Sequence, residues 1–251
     1  MVNTKHNLSV TGPGPVKASS ETRICIFCHT PHNSTPQSPL WNKELEPRNY
    51  TVYTSPTLKA APVPQPFGPT KLCLSCHDGT IAMGAVVNPT GGIGMTVGNL
   101  PPGSLSDFGL DLSSHHPVSF SYYDALPNPE LVPTPPSDLD FGSDDQLHCN
   151  TCHDPHNDSF GRFLAKDNRQ SALCVTCHQI TGWEASLHAT STASVVGILP
   201  RPPKTWPTYT QLGEWACETC HTPHFASTPE QLLNFTDALP DPFSCTSAGC
   251  H

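Results

Sequence analysis

Apolar residues are spread thinly along this chain, and few stretches hold a period. From about 80 to 145 neither the 3.6-residue repeat of a helix face nor the alternation of a half-buried strand persists. Gly91-Gly92, Pro101-Pro102 and Pro135-Pro136 punctuate that stretch as turns. A second stretch of the same kind covers 189–213. Helical turns are expected at the short segments that carry cysteine and histidine, with a helix near 168–178 and irregular chain elsewhere. No run of 18 apolar residues occurs, so no membrane-spanning helix is expected. The predicted fold class is mostly coil with short helices and little or no sheet.

Composition sharpens this picture. Leu, Ile, Val and Phe fill 51 of 251 positions, while Pro and Gly number 29 and 17. A chain so poor in large apolar residues is at the edge of what folds by burying its own side chains. Something other than side chains must supply the core. The formal net charge of −9 argues against a nucleic-acid partner, which would require a basic face.

The 12 cysteines and 14 histidines suggest what fills the gap. Cys-x-x-Cys-His occurs five times, as Cys25-Cys28-His29, Cys73-Cys76-His77, Cys149-Cys152-His153, Cys174-Cys177-His178 and Cys217-Cys220-His221. A sixth copy, Cys245-Thr-Ser-Ala-Gly-Cys250-His251, is stretched by two residues and uses the last two cysteines. Two cysteines one short turn apart can each bond a vinyl-derived carbon on one porphyrin edge, and the next histidine then reaches the iron. Zinc sites or disulfides would give no reason for histidine after every second cysteine. Six covalently bound haem c groups are therefore expected, with His29, His77, His153, His178, His221 and His251 as proximal ligands.

The motifs alternate in kind. The first, third and fifth continue as His-Thr-Pro-His, His-Asp-Pro-His and His-Thr-Pro-His, adding His32, His156 and His224. One domain over 1–251 is expected, with soft two-haem repeats at about 25–77, 149–178 and 217–251 joined by the loop-rich stretches 80–145 and 189–213. The proposed organisation is a stack of six haems with chain wrapped around it. Eight further histidines are available as second axial ligands, so bis-histidine ligation throughout is the economical reading. His6, His32, His116, His156, His188 and His224 are the expected distal set. His32, His156 and His224 are too close to their own motifs to ligate the same iron and are assigned to neighbouring haems. His115 adjoins His116 and His148 adjoins Cys149; these two are the alternates.

Cys-x-x-Cys-His-Thr-Pro-His, preceded by Lys5-His6-Asn7-Leu8-Ser9 and followed by His116-Pro117-Val118, resembles bacterial and archaeal multihaem cytochromes with doubled haem motifs. The stretched last motif is similar to one found in cytochromes of metal-reducing bacteria. The haem count resembles that of the extracellular cytochrome filaments of the OmcS type. That resemblance implies head-to-tail self-association, with haems in a continuous chain and one axial histidine donated by the next subunit. His251 at one end and His6 at the other are compatible with such an exchange, and the alternative is a monomer in which His6 folds back on its own chain.

Three functions follow for comparison. An extracellular or cell-surface electron conduit to outside acceptors leads. A soluble periplasmic shuttle between a membrane quinol oxidase and a terminal reductase is second. A multihaem reductase is third; it needs an open iron position, which the surplus of histidine disfavours, so no catalytic residues are expected. The N-terminus lacks the apolar stretch of a secretory signal, so the sequence is expected to be the mature form of an exported chain. Asn7, Asn33, Asn49, Asn157 and Asn234 open Asn-x-Ser/Thr acceptors, consistent with an exported and glycosylated surface.

Overall fold

Helix forms in this chain mainly where cysteine and histidine sit. The computed structural model describes residues 1–36, 39–60, 62–194, 210–227 and 229–233. Among these, α1, Gly68–His77, carries the second motif and is the longest helix. Pro69 starts it, since the first turn has no intrahelical use for the missing N–H. Asp78 ends it, followed by Gly79 at φ +69°. The third and fourth motifs lie on α2, Cys149–Cys152, and α3, Ala172–Cys177. A 3-10 turn, Arg169–Ser171, leads into α3, in the region where a helix was expected. The first motif sits on another 3-10 turn, Cys25–Phe27. Two four-residue helices, α4 (Leu187–Thr190) and α5 (Leu212–Trp215), precede the fifth. Strand is confined, among the described residues, to β1, Phe120–Ser121, paired antiparallel with β2, Gln146–Leu147, in the register Phe120↔Leu147. The fold is mostly coil with short helices, as the patterning predicts.

The chain divides into two compact units. Met1–Thr51, Gln65–Leu112 and His148–Ala165 form the first, and Val52–Pro64, Ser113–Leu147 and Lys166–His251 the second. The first unit holds motifs one to three, and the second holds motifs four and five. The sixth motif, Cys245, Cys250 and His251, lies outside the described residues.

Each unit has a small apolar cluster. In the first, Leu8, Ile26, Phe27, Met83 and Leu100 pack together, with Cys28 and Cys76 against them. In the second, Phe120, Tyr122, Phe141 and Leu147 do the same, with Cys177 against them. Such modest clusters match the thin supply of large apolar residues. Polar groups add specific ties: buried Asn42 donates to Ile26 O at 2.5 Å and Asn88 O at 2.7 Å, joining the first motif to the chain after α1.

Candidate functional site

One local turn recurs at the motifs. The histidine N–H bonds the carbonyl of the first cysteine four residues back, at 2.8 Å for His29, 3.0 Å for His153 and 2.9 Å for His178 and His221. His77 reaches the same relation within α1. This single turn sets both cysteines and the histidine of a motif on one side of the chain. None of the ten described cysteines is in a disulfide. Burial raises the Cys28 thiol to about 12 and Cys177 to about 11, whereas the neighbouring Cys174 thiol lowers Cys217 to about 7. Among the described residues no three His, Cys, Asp or Glu side chains gather as a metal-ion cluster.

A longer repeat follows motifs one, three and five. Thr30 Oγ1 and Thr222 Oγ1 donate to the carbonyls of His32 and His224, and Asp154 Oδ1 accepts from the His156 N–H. The residue before the proline thus braces the second histidine each time. The chain then loops back to bridge His29 with Trp41, His153 with Leu164 and His221 with Leu233. Leu40, Phe163 and Leu232 take the left-handed conformation at matching places in the loop, with φ of +57°, +57° and +53°. Just ahead of them, Pro39, Arg162 and Gln231 present carbonyls to the ring Nδ1 of His29, His153 and His221 at 2.8, 2.9 and 2.8 Å. In the second motif Ser106 O takes this role for His77 at 2.7 Å. A carbonyl only accepts, so Nδ1 carries the hydrogen and the neutral ring keeps its lone pair on Nε2, ready for iron.

The imidazoles of different segments meet in pairs. His6 and His77 stand 6.1 Å apart, ring centre to ring centre, His29 and His156 6.2 Å, and His116 and His178 6.4 Å. An imidazole nitrogen binds a metal at about 2 Å and lies about 1 Å from its ring centre, so two rings flanking one ion stand roughly 6 Å apart. All three pairs have the separation an iron between them would require. His6 and His116 also bond carbonyls through Nδ1, to Pro155 at 3.1 Å and Pro117 at 3.0 Å. Burial lowers the pKa of His6, His77, His116 and His153, and takes His178 to about 4, with His116 and His221 adding to the effect. Neutral imidazole, the ligating form, is therefore favoured.

The motifs also approach one another in chain order. Cys28 lies close enough to act electrostatically on Cys76, as Cys73 does on Cys149, and Cys174 lies near enough to Cys217 to lower its thiol. Motifs one, two and three are thus successive neighbours in the first unit, and four and five in the second.

The remaining histidines are placed as follows. His224 meets His115, with their Nδ1 atoms 3.2 Å apart. His148 is buried against Phe67 and hydrogen-bonded to Thr70, so it ties α2 to the start of α1. His32 and His188 are exposed. The loop-closing carbonyls of Pro39, Arg162 and Gln231 were not singled out in the sequence. Their signal is an apolar pair at a near-fixed distance beyond the proximal histidine: Leu40-Trp41, Phe163-Leu164 and Leu232-Leu233.

The family described as the doubled CXXCH motif matches residues 142–181, which hold the third and fourth motifs. These findings support a multihaem c-type cytochrome. No curated protein matches the chain. Covalently bound haem c gives such a cytochrome an iron that takes up and releases single electrons. The polypeptide supplies attachment through cysteine, neutral imidazoles aimed by Nδ1–H bonds to carbonyls, and close spacing between motifs. Among the described residues no helix is long and apolar enough to cross a membrane.

Proposed function

We propose that this cytochrome carries six haems, each held by two histidines, and transfers electrons among them without substrate chemistry of its own. The observation that carries this reading is the set of three imidazole pairs at about 6 Å, which supports His6, His156 and His116 as the distal partners of His77, His29 and His178. With both axial positions taken, an iron has nowhere to bind a substrate. The resemblance to extracellular cytochrome filaments supports head-to-tail assembly at or beyond the cell surface, delivering electrons to redox partners or external acceptors.

A soluble periplasmic shuttle is the second reading. It is favoured by His6, whose ring faces His77 of its own chain and is thereby engaged at home. Carbon monoxide tests the electron-transfer reading shared by both. Its addition to the fully reduced protein is expected to leave the visible spectrum unchanged. A spectral change accounting for one or more haems would expose an open iron and revive a reductase.

A further inference from the structure

Lys43 is buried to 0 % exposure, an environment that charged lysine rarely enters. Its ammonium donates to three backbone carbonyls, Ala82 at 3.1 Å, Met83 at 2.9 Å and Ala85 at 3.4 Å. The lysine and arginine ion pairs among the described residues, Arg23–Glu21, Arg48–Glu46 and Lys166–Asp138, do not include it. The ammonium is therefore held by peptide dipoles and not by a carboxylate. An apolar side chain would fill the same space without the cost of burying an ion.

Its surroundings give the charge a use. Lys43 lies close enough to Cys76 and to Cys28 to act electrostatically on both. These are the second cysteines of the first two motifs, which pack on the same apolar cluster. The carbonyl cage belongs to the chain just after α1, and it is shaped by a close approach: a Cβ on Gly84 would meet Ile93 O at 1.9 Å. Asn42 N–H bonds Cys28 O at 2.9 Å, so residues 42 and 43 hold both motifs from one point.

We propose that Lys43 is a fixed buried cation that raises the reduction potentials of the two haems attached through Cys25-Cys28 and Cys73-Cys76. This rests on the cytochrome reading. The step concerned is the uptake of one electron by a ferric iron from an added reductant, with no bond made or broken. Reduction removes one unit of positive charge from the iron, so a nearby cation favours the reduced state. In a water-poor interior that effect is strong and little screened by salt. Electrons in the first unit then rest preferentially on these two haems rather than on the one attached through Cys149-Cys152.

The experiment compares full-length, haem-loaded wild type, Lys43→Gln and Lys43→Arg in a mediated dithionite titration followed by visible absorption. Glutamine keeps donors for the carbonyls and drops the charge; arginine keeps the charge and disturbs the cage. Lys43→Gln is expected to make reduction of two haems at least tenfold less favourable, or 59 mV for one electron, with Lys43→Arg close to wild type. Unchanged potentials in Lys43→Gln, or equal shifts in both variants, would overturn the proposal and leave Lys43 a structural tie. Should Lys43→Gln take up fewer haems, Lys43→Met carries the same comparison. Intact mass separates the two failures: wild type without covalent haem defeats the cytochrome reading, whereas full loading with unmoved potentials defeats the role of Lys43 alone.

Discussion

Asn7 illustrates how a surface motif can turn inward. Its Oδ1 accepts from the Ser9 N–H at 3.1 Å and the Ser9 hydroxyl at 2.6 Å, and its Nδ2 donates to Val2 O at 2.7 Å. At 0 % exposure it offers no access to a glycosylating enzyme, although Asn33, Asn49 and Asn157 remain exposed. Asn234 lies outside the described residues. The same bonds steady the segment that brings His6 to His77. Glycopeptide mapping is expected to find Asn7 bare. Asn7→Ala, by orphaning buried polar groups, should cost about 1–3 kcal/mol, read as a lower urea midpoint at unchanged slope. A glycan at Asn7 would show that the N-terminal segment does not pack in this way.

At the scale of elements, the recurring unit is a loop and not a helix. A proximal histidine, a braced second histidine and a returning carbonyl form a module of about a dozen residues, built three times. Leu40, exposed and at φ +57°, probes it cleanly, because little burial is at stake. Leu40→Gly relieves a left-handed penalty of about 1–2 kcal/mol and adds about 0.5–1 kcal/mol of chain entropy cost. Stability should hold or rise slightly. Leu40→Ile, β-branched at the same φ, should lose at least about 1 kcal/mol. Soret circular dichroism during denaturation measures both, and equal midpoints for the two variants would mean the loop does not need that conformation. The sequence made the Cys-His-x-Pro-His half of this module plain. The returning half was hidden because its work is done by backbone carbonyls, which any residue can supply.

For the whole molecule, the expectation concerns assembly. Electron microscopy of natively purified, haem-stained protein is expected to reveal unbranched filaments of uniform width. Discrete small particles, at concentrations where filaments of this kind persist, would favour the periplasmic shuttle and place every distal histidine within one chain. The grouping of motifs into units bears on how electrons are shared inside the chain. Three motifs fall in the first unit and two described motifs in the second, so the family match at 142–181 takes in one motif from each.

Covalent chemistry was legible from sequence alone, because thioether attachment and the proximal histidine demand fixed residues at fixed spacing within one turn. Scarcity of apolar residues likewise foretold a coil-rich fold, since too little side-chain surface exists to bury. Which histidines approach one another was not legible. His6 meets His77 and His116 meets His178 across 71 and 62 residues of chain, and no local rule links such positions. The role of Lys43 was equally invisible: a lone lysine in Trp-Asn-Lys-Glu reads as solvated, and only folding encloses it among carbonyls that come from some forty residues away. Contacts of this range depend on where loops close, and loop closure is decided by the tertiary structure.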